Sequence, residues 1–189
     1  MSRSLIELGE VTPHNIKLLK KLNTVIFPIT YGDKFYVDAL HAGDLVKLAY
    51  YNDIVVGAVC CRVDTTENKR RLYIMTMGCL LPYRRLGIGT AMFLHVLNYV
   101  GKDGDFDSIF LHVQVNNDGA LKFYKKFGFE IVGTQKDYYK DIESTDAFIL
   151  EKTVARGNML IHLMKIIDQI QKNHLPASTV QSLFQLDYI

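Results

Sequence analysis

The segment at 80–93, LLPYRRLGIGTAMF, joins an apolar strand pattern to an apolar helical pattern through two arginines and a Gly-x-Gly turn. A helix that begins at such a turn offers free backbone N–H groups to an anion, and glycines allow a phosphate to approach the backbone closely. A dinucleotide-binding turn would need a third glycine where Met92 stands, and the phosphate loop of an NTPase would need Gly-Lys-Ser/Thr, which is absent. The turn predicts a phosphate-binding site of another kind, unless it is simply a helix start beside two solvated arginines.

Helical and alternating patterns divide the rest of the chain among strands and helices. Strands are predicted at 4–9, 45–51, 54–63, 72–81, 108–115, 129–134 and 147–153, and helices after Thr12-Pro13, after Asp33, at 87–100 and at 117–127. The early strands form hairpins and the later ones alternate with helices, which predicts an α/β fold with a mixed central sheet flanked by helices. Gly78, inside a strand pattern, indicates a bulge or a close approach of another group.

Composition and charge exclude several classes of protein. The chain has 189 residues and a formal net charge of +2, which argues against a dedicated nucleic-acid-binding protein. Three cysteines, two of them adjacent, favour a reduced compartment over a disulfide framework, and no spacing typical of a metal site occurs. Glu7 and Glu10 interrupt the apolar run of a signal peptide, and no stretch is apolar enough to span a membrane. We therefore expect a soluble, intracellular protein without a metal.

A second segment at 114–133, QVNNDGALKFYKKFGFEIVG, has a strand, an asparagine, a helix with Ala120, Phe123 and Tyr124, a Gly-Phe pair and another strand. With Arg84-x-x-Gly87-x-Gly89 about thirty residues before it, this segment resembles the acetyl-CoA-binding core of the GNAT N-acetyltransferases. Further segments resemble the N-alpha-acetyltransferase 50 family, the catalytic subunits of NatE; they lie at 6–17, 27–36, 48–64, 71–90 and 98–117.

The resemblance implies a GNAT domain at 1–153 and leaves a C-terminal extension at 154–189 unmatched. It implies acetyl transfer from acetyl-CoA to the α-amino group of proteins, favouring an initiator Met followed by an apolar or small residue. The implied partners are the NatA catalytic and auxiliary subunits at the ribosome, and the implied location is the cytoplasm, with the nucleus as a second compartment. Two alternatives stay open: a lysine side-chain acetyltransferase, and a scaffold of the NatA/NatE complex with little activity.

The resemblance assigns Tyr73 and His112 to the relay that removes the proton of the amine, with a water between the groups as one possibility. Strand alternation places Tyr73 on one face with Met75 and Met77, and we expect His112 to converge with Tyr73 if their faces lie on the same side of a splayed sheet. A lone histidine in an apolar strand can instead be a hydrogen-bonded core residue.

Two further sets follow from the resemblance, although each aromatic residue in them could simply belong to the core. The acetyl-CoA set lies along the pyrophosphate, the pantetheine arm and the thioester, and comprises Met77, Arg84, Arg85, Leu86, Gly87, Ile88, Gly89, Thr90, Asn117 and Tyr124. The hydroxyl of Tyr124 is expected at the sulfur, and backbone N–H groups near Met77 and Gly78 at the oxyanion. The peptide groove comprises Phe27, Pro28, Ile29, Tyr31, Met75, Tyr138, Tyr139 and Ile142.

The chain departs from the family at Asp141, where a basic residue is usual. This change is expected to weaken any preference for acidic residues later in the peptide. The extension has apolar residues at helical spacing, which predicts an amphipathic helix; they are Leu160, Leu163, Met164, Ile167 and Ile170. Such a helix either packs on its own domain or binds a partner.

Overall fold

The computed structural model describes residues 5–66, 68–140 and 142–154, so Asp141 and the predicted helix of the extension lie outside the described residues. Its strands are β1 (Ile6–Glu10), β2 (Val46–Tyr51), β3 (Ile54–Thr66), β4 (Lys69–Cys79), β5 (Ser108–Gln114), β6 (Glu130–Gln135) and β7 (Ala147–Thr153). Its helices are α1 (Ile16–Ile26), α2 (Asp33–His41), α3 (Ile88–Asp103) and α4 (Asp118–Lys126). Within these residues, no helix has both the length and the apolar character needed to cross a membrane.

The seven strands form one mixed sheet, as the sequence predicts, in the order β1-β2-β3-β4-β5-β7-β6. Neighbouring strands are antiparallel except β4 and β5, which pair in parallel over Arg71–Tyr73 and Ser108–Phe110. This parallel pairing ends at Tyr73 and Phe110, and β5 then pairs along its length with β7. Beyond that point β4 and β5 separate, which opens the middle of the sheet.

Two apolar clusters cover the two faces of the sheet. One contains the buried side of α3, with Phe93 and Leu97 fully buried, together with Tyr124 of α4. The other contains Leu19 of α1 and Tyr36 of α2. The opening between β4 and β5 therefore lies between a helical layer on one face and a second helical layer on the other.

The prediction that Tyr73, Met75 and Met77 share one face is wrong for Met77. Met75 packs against the cluster beneath α1 and α2, whereas Met77 packs against the cluster beneath α3. The cause is a β-bulge between β3 and β4, where the register shifts between Cys60 and Cys61. A bulge inserts one residue into a strand and so breaks the alternation of side chains beyond it.

The first helix begins later than the sequence predicts. The backbone carbonyl of Thr12 accepts hydrogen bonds from the N–H groups of Asn15 and Ile16, and Oδ1 of Asn15 accepts one from the N–H of Thr12. Residues 13–15 thus form a hydrogen-bonded turn ahead of the regular helix. The helix therefore starts at Ile16, with Asn15 rather than Thr12 at its N-cap position.

Candidate active site

The basic turn between β4 and α3 has the geometry of an anion site. Arg85 and Gly87 both have left-handed backbone conformations, with φ of 66° and 93°, and Gly87 is the N-cap residue of α3. The N–H groups of the first turn, at 88–90, have no partner inside the helix, and this turn carries no acidic side chain. Arg84 and Arg85 are exposed. The turn therefore offers backbone donors, the positive end of the helix dipole and two exposed guanidinium groups to an anion.

The second half of α4 packs beside the start of α3. A Cβ atom at Gly89 would lie 3.4 Å from the ring of Phe123, so the absence of a side chain lets the two helices approach closely. Asn117 is the N-cap of α4, and its Oδ1 accepts a hydrogen bond of 3.1 Å from the N–H of Ala120. Asn117 thus has a structural function at the place where the resemblance puts a ligand contact.

Tyr124 lies buried among the aromatic side chains that join α3, α4 and β6. Its ring centroid lies 6.4 Å from that of Phe93 and 5.3 Å from that of Phe129. Burial raises the pKa of its phenol well above the ordinary value, and the nearby Cys61 thiol raises it further. The hydroxyl therefore stays protonated at neutral pH and can donate to a thiolate.

The structure brings Tyr73 and His112 together, as strand alternation predicts. Nδ1 of His112 lies 3.1 Å from the hydroxyl oxygen of Tyr73, which lies 2.7 Å from the hydroxyl oxygen of Tyr138. The rings of His112 and Tyr138 are stacked, with centroids 4.2 Å apart and an interplanar angle of 5°. Three elements thus meet here: β4, β5 and the loop between β6 and β7.

The surroundings of this cluster hold both side chains neutral. Burial lowers the pKa of His112, and a hydrogen bond from its ring to Gln135 opposes part of that shift. Burial also raises the pKa of Tyr73 well above the usual value for a phenol. A neutral imidazole beside a protonated phenol can take up a proton passed through the phenol oxygen, which suits general-base chemistry.

Most of the predicted groove residues surround this cluster. Tyr31, in the loop between α1 and α2, has its pKa raised by burial and then by the nearby Tyr139 and Tyr138 of the β6–β7 loop, which places these three phenols close together. The ring of Phe27 contacts that of Tyr31 edge-on, at a centroid distance of 6.3 Å. Met75 and Tyr31 both pack against the apolar cluster beneath α1 and α2. The remaining three predicted groove residues lie in the same two loops; Ile29 and Ile142 are half-buried, and Pro28 is exposed.

The β6–β7 loop is held by hydrogen bonds that fix Tyr138. The N–H of Tyr139 donates to the carbonyl of Thr145 over 2.8 Å, and the N–H of Asp137 donates to Oδ1 of Asp146 over 3.0 Å. Nε2 of Gln114, on β5, donates to the carbonyl of Ser144 over 2.8 Å. The loop is therefore anchored to the strand that carries His112.

Sequence reasoning missed Gln135, the last residue of β6. Its side-chain oxygen, Oε1, lies 3.2 Å from Nε2 of His112, on the side of the ring opposite to Tyr73. No sequence pattern marks this residue, because the contact depends on the pairing of β6 with β7 and of β7 with β5.

The cysteines and acidic residues in the described part of the chain are not grouped as metal ligands. Cys60, Cys61 and Cys79 are all free thiols. Among residues 5–66, 68–140 and 142–154, no group of three or more His, Cys, Asp or Glu side chains is arranged to hold a metal ion.

Comparison with known proteins relates this arrangement to one family. Residues 16–129 match the profile of the Acetyltransferase (GNAT) family. The chain is 74% identical over 156 residues to the Drosophila melanogaster protein named Probable N-acetyltransferase san, covering 82% of this chain and 85% of that protein. It is 66% identical over 149 residues to N-alpha-acetyltransferase 50 of Danio rerio, covering 79% of this chain and 89% of the relative. The solved structure of Arabidopsis thaliana Naa50 in complex with the bisubstrate analogue CoA-Ac-MVNAL is 50% identical, has a TM-score of 0.74, and covers 79% of this chain and 99% of that one.

Proposed function

Because this chain belongs to the GNAT acetyltransferase family, we infer that it transfers the acetyl group of acetyl-CoA to the N-terminal α-amino group of proteins. Its identity to N-alpha-acetyltransferase 50 of Danio rerio is 66%. The observation that carries the inference is the contact of Tyr73 with His112. It lies where β4 and β5 separate, on the strand that leads into the basic turn.

The reaction needs a neutral amine, a polarised thioester and a proton for the leaving thiolate. An α-amino group has a pKa of about 7.7–8.0, so a neutral imidazole can accept its proton through Tyr73. The amine nitrogen then bonds to the acetyl carbon, and the bond from that carbon to sulfur breaks. Backbone N–H groups near Met77 and Gly78 stabilise the oxyanion, and the hydroxyl of Tyr124 donates to the thiolate. His112 then releases the amine proton to water and Tyr124 regains a proton from water, so the net products are an acetylated N-terminus and CoA.

We propose that the preferred acceptor begins with Met. The solved Arabidopsis relative is bound to an analogue that carries the peptide sequence MVNAL. In this chain, Phe27, Ile29 and Ile142 are apolar and half-buried, and they lie in the same two loops as Tyr31 and Tyr138. A methylene group in an apolar pocket is worth about 1–3 kcal/mol, so Met can be preferred over Ala without any charged contact.

Peptides that begin with Met, Ala or Ser, each with a free or a blocked N-terminus and one internal lysine, test this function. We expect acetylation of free N-termini, with kcat/KM about tenfold or more higher for Met than for Ala, and no transfer to blocked peptides. Mass spectrometry of the products identifies the acetylated nitrogen. A blocked peptide acetylated best on its lysine would contradict the proposal.

A lysine side chain as the main acceptor is the less favoured alternative. Its amine has a pKa of about 10.4, so far less of it is neutral at pH 7 than of an α-amino group. The imidazole of His112 and the phenol of Tyr73 are both neutral at this pH, so neither is a strong base that could overcome the difference.

Substitution of Gly78 tests how the pocket is built. A Cβ atom there would lie 2.7 Å from Cγ2 of Ile26 and 3.2 Å from the ring of Phe27, so Gly78→Ala must displace Ile26 and push the ring of Phe27 slightly outwards. We expect KM for a Met peptide to rise about tenfold, in line with the cost of about 1–3 kcal/mol for overpacking, with acetyl-CoA binding retained. Gly32→Ala is the matched control, because a Cβ atom at Gly32 meets nothing within 4 Å. Equal KM values for the two variants would show that Gly78 does not shape the pocket.

We further propose that the protein acts with the NatA catalytic and auxiliary subunits at the ribosome, in the cytoplasm and also in the nucleus. The support is the similarity to N-alpha-acetyltransferase 50 from Danio rerio, at 66% identity. Co-purification of the full chain with NatA subunits and ribosomes, and fractionation of cells, test the proposal; a protein found in neither assembly and in neither compartment would contradict it.

The weaker preference for acidic peptide residues that Asp141 implies stays a prediction, because Asp141 lies outside the described residues.

A further inference from the structure

The side chain of Gln135 fixes the direction of the hydrogen bonds around His112. Oε1 of Gln135 is a carbonyl oxygen, which can only accept, and it lies 3.2 Å from Nε2 of His112. With the amide in this orientation Nε2 carries a hydrogen, which agrees with a hydrogen bond to Gln135 that raises the pKa of His112. A neutral imidazole has a single N–H, so Nδ1 has a free lone pair.

The free lone pair on Nδ1 determines what Tyr73 does. With Nδ1 3.1 Å away, the hydroxyl of Tyr73 donates to His112. The hydroxyl of Tyr138, 2.7 Å from that of Tyr73, is then the donor in the contact between the two phenols. The hydrogen bonds run in one direction, from Tyr138 through Tyr73 to His112 and on to Gln135.

We propose that Gln135 is a positioning residue for acetyl transfer, which keeps His112 in the Nε2–H form so that Nδ1 accepts the proton of Tyr73. The inference rests on the proposed function. In the reaction, the amine proton moves to the oxygen of Tyr73 as the phenol proton moves to Nδ1. The resulting imidazolium keeps its Nε2–H bond to Gln135. In the opposite tautomer Nδ1 would carry the hydrogen and could not accept.

Of His112 and the titratable groups that face it, His112 is the one whose charge changes in the pH range of histidine. Tyr73 faces it from β4, and Tyr138 and Tyr139 face it from the β6–β7 loop. Arg62 of β3 lies 5.1 Å from the ring centroid of Tyr73 and carries a fixed positive charge. Burial raises the pKa of Tyr73, and raises that of Tyr139 to about 12, so both stay protonated where histidines titrate.

Three variants of full-length protein separate positioning from folding. Gln135→Met removes the acceptor and keeps the length of the side chain, and Gln135→Glu keeps an acceptor and adds a negative charge. Thr134→Met is the matched control, because Thr134 is exposed and precedes Gln135 on the same strand. For Gln135→Met we expect kcat to fall about three- to tenfold, the effect of one lost hydrogen bond, with KM values for peptide and acetyl-CoA unchanged.

The pH profile of kcat distinguishes a hydrogen bond from simple packing. Neutral His112 is the active form, so kcat falls as the pH drops through the pKa of His112. Gln135→Glu should retain activity at pH 8 and move this acid limb upwards by about one unit, because a nearby carboxylate favours imidazolium. Gln135→Met should move the limb downwards, because a hydrogen bond that raises the pKa of His112 is lost.

NMR of ¹⁵N-histidine-labelled protein at pH 8 reads the tautomer without using the reaction. The signals of His112 are assigned by their loss in His112→Ala. Wild type and Gln135→Glu should show a protonated Nε2 and a bare Nδ1, and Gln135→Met should show a mixture. An unchanged tautomer in Gln135→Met, or equal losses of kcat in Gln135→Met and Thr134→Met, would overturn the inference. A wild-type protein that acetylates no peptide would contradict the proposed function alone, because the tautomer is measured independently.

Discussion

Replacing His112 by Ala, or Tyr73 by Phe, should each lower kcat by about 10²-fold or more, the usual effect of losing a general base. Tyr73→Phe removes only the hydroxyl and keeps the ring, whose centroid lies 4.7 Å from that of Phe110 in a stacked contact. The phenol oxygen lies 3.1 Å from Nδ1 of His112, so either change interrupts the same path for the proton. Steady-state kinetics with a Met peptide measure the loss.

The double variant tests whether the two residues act as one unit. If a proton must pass both groups, Tyr73→Phe combined with His112→Ala should be barely slower than the slower single variant. Affinity for CoA, measured by calorimetry, serves as the control for folding and should not change. The acid limb of the wild-type kcat profile should lie below about pH 6.5, the ordinary value for histidine, because burial lowers the pKa of His112. Full activity of either single variant between pH 6 and 9 would exclude that residue from the relay.

Replacing Gly87 by Val should weaken acetyl-CoA binding by about 10²-fold or more. Gly87 has φ of 93°, a conformation that a β-branched residue strongly disfavours, and it directs the first turn of α3. Loss of two backbone hydrogen bonds to a charged phosphate, at about 1.5–3 kcal/mol each, accounts for this factor. Calorimetry with CoA measures it directly.

Gly104→Val is the matched control for backbone strain. Gly104 ends the same helix, has φ of 75°, and a Cβ atom there would meet nothing within 4 Å. Both variants should be destabilised to a similar degree in thermal unfolding, but only Gly87→Val should lose affinity for CoA. If both bind CoA as tightly as the wild type, the basic turn does not hold the pyrophosphate.

The features that sequence predicted well are those set by neighbours along the chain. The turn at Asn52-Asp53 follows from residues that tolerate positive φ, and both have it, at 47° and 66°. The start of α4 at Asn117 follows from its side chain, which caps the helix. The order of strand, basic turn and helix at 80–93 was equally local, and the structure reproduces it.

The features that sequence missed depend on how strands align across the sheet. Strand alternation brought Tyr73 to His112 correctly, because Tyr73 precedes the bulge in β4 and β5 pairs regularly with β7 through His112. It failed at Met77, because a bulge in the pairing with β3 cannot be read from alternating apolar residues. Gln135 lies near His112 only because β6 pairs with β7 and β7 pairs with β5, so no pattern of neighbouring residues predicts the contact.

Because the parallel pairing of β4 with β5 is short, the sheet has a gap between two of its inner strands. Beyond Tyr73 and Phe110, the facing edges of β4 and β5 are no longer paired with each other. Both are inner strands, so these backbone edges lie in the middle of the sheet and not at its rim. Buried amides need partners, and the pantetheine arm of acetyl-CoA is an extended chain with two amide groups of its own. We therefore expect the pantetheine arm to lie between the separated strands and to bond to their backbone amides, much as an added strand would, which leaves discrimination among substrates to the side chains at the two ends of the opening.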